Sequence, residues 1–222
     1  MNRMTESTSR NPDWMSASTA FSRRLTTLAD VPDAEAWIPD LAPWVYGAGN
    51  PYFDWFFGGS DIARRVVEAM MRKHSSEFAL RWVTALFEGG RPIGGFVALP
   101  GGELAASRAA DMITALAEVG TAERPRLAAR LREARRLFLP VDSDCFYVSK
   151  LGVVPEYRGG GLGRALFGAS LVRGRAAGFS RFRVDVSIGN IRGIRHYESF
   201  GFRSIGRRAV GEIGYLAMIL EC

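Results

Sequence analysis

Four glycines fall within the five residues Gly159-Gly160-Gly161-Leu162-Gly163, and no other stretch constrains this chain as much. The apolar run Leu151-Gly152-Val153-Val154 before them reads as the end of a β-strand, and Pro155-Glu156-Tyr157-Arg158 as a turn. A helix is expected over residues 163–177, with Gly178 as its C-cap. Glycines at this point remove side chains where the backbone must turn tightly and approach another molecule. The first amides of the helix have no intrahelical acceptor, and the helix dipole is positive there, so the loop is built to hold an anion such as a pyrophosphate.

Two well-known glycine loops fit poorly. A Walker-type loop ends in Gly-Lys followed by Ser or Thr, whereas Gly163 is followed by Arg164-Ala165. A dinucleotide fingerprint belongs after the first strand of a βαβ unit, and this loop comes late, behind a long mixed N-terminal half.

A better match is Arg158-x-x-Gly161-x-Gly163 preceded by Val-Val-Pro-Glu-Tyr, which resembles the acyl-CoA pyrophosphate loop of the GNAT superfamily of N-acetyltransferases. A second segment, from Asn190 through Tyr197-Glu198 to Gly201-Phe202, resembles that family's Asn-x-x-Ala-x-x-x-Tyr-Glu-x-x-Gly-Phe, with Gly193 where alanine is usual. The resemblance is carried by the C-terminal third. It implies an α/β, mixed-sheet GNAT-like fold and acetyl-CoA as co-substrate, with no metal. It also implies that the pantetheine arm lies along Leu151, Gly152 and Val153. The pyrophosphate would sit on the amides of Arg158, Gly159, Gly160, Gly161, Leu162, Gly163 and Arg164, with Asn190 and Tyr197 also contacting the cofactor. Tyr197 stands where the family often places the acid that protonates the departing sulfur.

The rest of the chain supplies a frame. Residues 1–19, rich in Ser, Thr, Asn and Asp, read as a disordered tail, and residues 20–222 as one domain with its cofactor-binding core at about 145–202. A first strand is expected over 21–28, then a helix capped by Asp30, with Pro39 and Pro43 interrupting any long helix. Aromatic residues crowd 37–57, either as core or as one wall of an acceptor pocket. Residues 61–74 carry a helical pattern, 81–87 and 92–99 a hairpin, and 103–138 two helices forming an insertion before the central strand at 145–153. A strand through Phe182, Val184 and Val186, a helix over 190–200 and an antiparallel pair at 205–210 and 214–221 complete the sheet.

Composition narrows the function classes. No run approaches a membrane span and the N-terminal residues form no apolar signal core, so a cytoplasmic protein is expected. The net charge of +6 is almost wholly arginine, Lys73 and Lys150 being the only lysines. A phosphate-rich cofactor accounts for that excess, and without a recognised binding motif nucleic acid is not an expected partner. Cys145 and Cys222 form neither a metal nor a redox pattern.

Acetyl transfer to an amine needs an uncharged nitrogen, polarisation of the thioester carbonyl and a proton for the leaving thiolate. Relatives often carry an acid on the central strand near Ser149, where a serine alone is no base. Asp142, Asp144, Asp185 and Glu198 are the candidates left, and a water relay or an acceptor amine already partly neutral would also serve. The expected activity is transfer to a primary amine of a small molecule, with a homodimer left open. Alternatives are a peptide or protein acceptor, or a CoA-binding sensor without catalysis.

Overall fold

The computed structural model describes residues 23–29 and 31–222. The expected tail at 1–19 and the expected cap Asp30 lie outside the described residues. Seven strands, β1 (Arg24–Thr27), β2 (Val83–Glu88), β3 (Arg91–Pro100), β4 (Cys145–Val153), β5 (Arg181–Ser187), β6 (Arg203–Val210) and β7 (Ile213–Glu221), form one sheet ordered β1-β2-β3-β4-β5-β7-β6. Among the described residues the β4–β5 pair alone is parallel. The expected hairpin and the closing antiparallel pair are both present, as β2–β3 and β6–β7.

Three helices, α1 (Ile38–Gly49), α2 (Tyr52–Phe57) and α3 (Ser60–Met71), precede β2, and α4 (Gly101–Glu118) and α5 (Arg124–Ala134) form the insertion between β3 and β4. These five pack on one face of the sheet, where Leu41, Val45, Phe53, Val66, Met70 and Leu127 share a core with Val83, Ala85 and Val97. On the other face α6 (Leu162–Ala176) and α7 (Ile191–Glu198) cover Phe146, Val148, Phe182 and Val184 through Leu166, Phe167 and Ile194.

The prolines do not interrupt α1. Pro39 lies in its first turn, where an amide is not needed, and Pro43 sits inside the helix. An interior proline costs about 3 kcal/mol. Against that, Ile38, Leu41, Trp44 and Val45 are buried along the same helix, each large aliphatic side chain contributing about 1.5–3 kcal/mol. The aromatic stretch is chiefly core: Trp44, Tyr46, Phe53, Phe56 and Phe57 are buried under α3 and the sheet. Among the described residues no helix is long and apolar enough to cross a membrane.

Candidate active site

β4 and β5 begin as neighbours and then part. Cys145 pairs with Arg181, Phe146 with Phe182 and Tyr147 with Arg183, and there the ladder stops. β4 remains bonded to β3 as far as Val153, and β5 to β7 as far as Ser187. Each strand therefore turns one unpaired edge toward a cleft that opens in the direction of their C-terminal ends. Leu151, Gly152 and Val153 lie on the β4 side of it, half-buried. A free strand edge offers alternating donors and acceptors to any extended chain with amide groups. Gly152 has a second role, because a Cβ there would lie 3.1 Å from the Trp44 carbonyl oxygen, so its absence lets α1 lie close against β4.

The glycine loop sits at the mouth of this cleft. Residues 155–157 form a single 3-10 turn, and Gly161, at φ 78°, caps α6. The amide of Arg158 already donates to the Pro155 carbonyl and that of Arg164 to the Gly161 carbonyl, so the free set is narrower than the sequence suggests. Among the described residues no backbone carbonyl accepts from the amides of Gly159, Gly160, Gly161, Leu162 or Gly163. A Cβ built on any of those four glycines meets nothing within 4 Å, so protein packing does not explain their lack of side chains. The Arg158 side chain turns back, its Nε donating to the Val153 carbonyl at 2.9 Å. Arg164 joins α6 to α7 by a 3.0 Å bond to Ser199 Oγ and by stacking over Phe200.

Asn190 follows β5 and caps α7, its Oδ1 accepting from the Gly193 amide at 2.8 Å. A Cβ on Gly193 would stand 2.5 Å from Asn190 Nδ2, which accounts for glycine where the resembling pattern has alanine. Two turns further on, the Tyr197 ring packs against Phe167 and Phe202 with centroids 4.9 and 6.0 Å away. Burial pushes its phenol up to about 12. Its hydroxyl has no hydrogen-bond partner among the described residues, so a packing role alone leaves the polar end unexplained.

On the α1–α5 face, behind the β4 edge, lies a buried polar cluster. A bulge in β4 leaves Ser149 without an opposite residue on β3: Val148 faces Ala98 and Lys150 faces Val97. Ser149 Oγ donates to Glu77 Oε1, and Lys150 Nζ lies 3.1 Å from the same hydroxyl and 4.0 Å from the carboxylate. The Lys150 ammonium also sits between the rings of Phe53 and Phe78, at 5.3 and 5.1 Å. Arg108 of α4 donates from Nε to Glu77 Oε2 at 2.9 Å and from Nη2 to the Tyr147 hydroxyl at 3.2 Å. The Tyr147 hydroxyl in turn donates to Asp185 Oδ2 at 3.1 Å, closing the floor of the cleft where the strands part. Burial pushes Glu77 up, but Arg108, Lys150 and the Ser149 hydroxyl outweigh it and hold the carboxyl below its ordinary range. Burial lowers the Lys150 ammonium against the opposing pull of Glu77.

Nothing in the sequence marks Glu77. It lies in a short connection without periodicity, and its partner Ser149 is 72 residues away. The acids that the sequence offers are otherwise engaged or remote. Asp142 and Asp144 are bound by Arg181 at 3.2 and 2.8 Å, Asp185 is bound by Arg183 and Tyr147, and Glu198 is exposed on α7. Asp142, Asp144 and Cys145 do lie close together, but both carboxylates are taken up by that arginine. Above the cluster Phe138, from the end of the insertion, contacts Tyr52 and Tyr215 at 5.3 and 4.9 Å and roofs this side of the cleft.

The model of the acetyltransferase (GNAT) family matches residues 51–202. No curated protein matches the chain. Among solved structures, an N-acetyltransferase from Staphylococcus aureus Mu50 superposes with a TM-score of 0.65 at 15% identity, over 89% of this chain and 100% of that one. The NatC complex bound to Gag peptide and CoA gives 0.53 at 14%, covering 92% and 99%. The ribosomal-protein-S18-alanine N-acetyltransferase from Escherichia coli gives 0.52 at 15%, covering 90% and 94%. At such identities the likeness is one of fold.

Proposed function

The chain belongs to the GNAT acetyltransferase family, and from that premise we propose that it moves an acetyl group from acetyl-CoA directly to a primary amine of a small molecule. The observation that carries this reading is the cleft between β4 and β5, at whose mouth five amides have no backbone acceptor among the described residues. The residues present fit the co-substrate. The open edge at Leu151, Gly152 and Val153 suits the amides of a pantetheine arm. The amides of residues 159–163 suit a pyrophosphate at the start of α6, and the bare space beside their glycines lets it approach. Acetyl-CoA supplies the activated acetyl group, and the protein has to align, deprotonate and reprotonate. Tyr197, kept in its phenol form by burial, donates the proton that the thiolate needs. The acceptor comes from the opposite face, past Tyr52, Phe138 and Tyr215. That roof favours a narrow amine over the surface of a folded protein.

The test is thiol release from acetyl-CoA, with the acylated product identified by mass, across a panel of small primary amines and of peptides with free N-termini or lysines. Acetylation of small amines at higher kcat/KM than any peptide is expected. Preference for peptides would move the acceptor class, and binding of acetyl-CoA without transfer to any member would make the protein a sensor.

A further inference from the structure

Glu77 is a buried carboxylate that the fold takes trouble to place. The residue is 4% exposed, and its side chain is held by Arg108 from α4 and by Ser149 and Lys150 from β4. An ionised carboxylate in such a position costs several kcal/mol of desolvation unless its partners compensate. Ser149 is half-buried, stands in the bulge at the edge of the cleft, and gives its only proton to Glu77. It thus stands between the carboxylate and the cleft; Lys150 Nζ donates to one of its lone pairs at 3.1 Å, which leaves the other for an incoming donor. A bulge frees one residue from the ladder and re-aims its side chain, and here that residue is Ser149.

We propose that Ser149 and Glu77 form a proton relay, in which Ser149 accepts a proton from the acceptor's ammonium group as it passes its own to Glu77. The proposal rests on the acetyltransferase reading. Across the reaction the acceptor nitrogen sheds two protons. One reaches Glu77 through Ser149 before attack and leaves to solvent when the product departs. The nitrogen lone pair then forms the N–C bond and the C–S bond breaks, the sulfur keeping the electron pair and taking a proton from Tyr197. The second nitrogen proton restores Tyr197 through water. The groups facing Glu77 suit this role. Arg108 and Lys150 keep it ionised, which makes it a weak base that holds the proton only briefly, and their positive charge favours an acceptor that has lost its own. Asp111 Oδ2 holds its amide at 3.0 Å, while Asp185 is reached only through Tyr147 and Arg108. Ser149 is thereby a catalytic residue, and Glu77 acts through it.

The experiment compares wild type, Ser149→Ala, Glu77→Gln and the double variant, on the best amine of the panel, from pH 6.5 to 9.5. Without the relay only the already neutral amine reacts. The loss in kcat/KM is therefore expected to be about a hundredfold near neutral pH and to shrink as the acceptor loses its own proton. KM for acetyl-CoA stays unchanged, and the double variant is no worse than either single one, because groups acting as one unit are not additive. Glu77→Gln leaves Arg108 and Lys150 buried without their counter-charge; if it does not fold, Ser149→Ala, which removes one hydroxyl, carries the test alone. A loss constant across pH, or full activity in Ser149→Ala, would overturn the relay and leave the transferase reading standing. A wild type that acetylates no amine would overturn both.

Discussion

At the residue scale the site is a set of polar groups whose ionisation is set by their surroundings. Asp111 shows this most directly. Its Oδ2 accepts from the Glu77 amide, its Oδ1 is buried without a partner among the described residues, and burial with the nearby Glu77 charge pushes it up to about 7. An aspartate raised in the folded state binds more protons folded than unfolded between its two values, so stability falls as pH rises from about 4 to about 7 and stays reduced above. Asp111→Asn keeps the acceptor and removes the charge. The variant should gain more than about 1 kcal/mol over wild type at pH 8 and much less at pH 5, read by chemical denaturation. A difference that does not vary with pH would show that Asp111 is not charged at a cost. Tyr197 is the second case. Tyr197→Phe keeps the ring among Phe167 and Phe202 and removes only the proton, so turnover should drop at least about tenfold with acetyl-CoA affinity and melting temperature unchanged. Full turnover, measured where chemistry limits the rate, would return that proton to solvent.

At the element scale, what was legible in the sequence was what local chemistry decides. The strand, glycine loop and helix at 145–177, the hairpin of β2 and β3, and the cap at Gly178 come from periodicity and from glycine's access to positive φ, and they lie where expected within a residue or two. α1 was not legible, because two prolines outweigh periodicity in a local reading, whereas its burial against α3 and the sheet is a tertiary gain. The bulge at Ser149 was not legible either. A strand of nine residues looks continuous in sequence, and only its partner β3 shows that one residue is unopposed. The two contiguous motifs that carry the proposed cofactor half of the site could therefore be read locally, as a loop and a helix. The polar cluster assigned by proposal to the acceptor side, assembled from α4, β4 and the connection carrying Glu77, could not.

At the scale of the whole molecule the sheet divides the labour. One face carries α6, with the loop at its start, and α7 with Tyr197, and the other carries the roof and the polar cluster, so in the proposed reaction the two reactants arrive from opposite sides of one parting between strands. The arginine excess is spread over this frame rather than concentrated on the loop: Arg173 ties α6 to the Trp82 carbonyl, Arg181 binds Asp142 and Asp144, and Arg135, Arg136 and Arg208 line a groove of about 460 Å³ beside Phe138. The proposed function accordingly rests cofactor binding on backbone amides at the mouth of the cleft, and calorimetric titration with acetyl-CoA tests that claim most directly when wild type is set beside Gly160→Val. Gly160 has open space around its missing Cβ and no left-handed φ, unlike Gly161, so the substitution leaves the fold unstrained. Wild type should bind, and the variant should melt at the same temperature while binding at least about tenfold more weakly, a loss of about 1.4 kcal/mol. Equal affinity in a folded Gly160→Val protein would contradict the account.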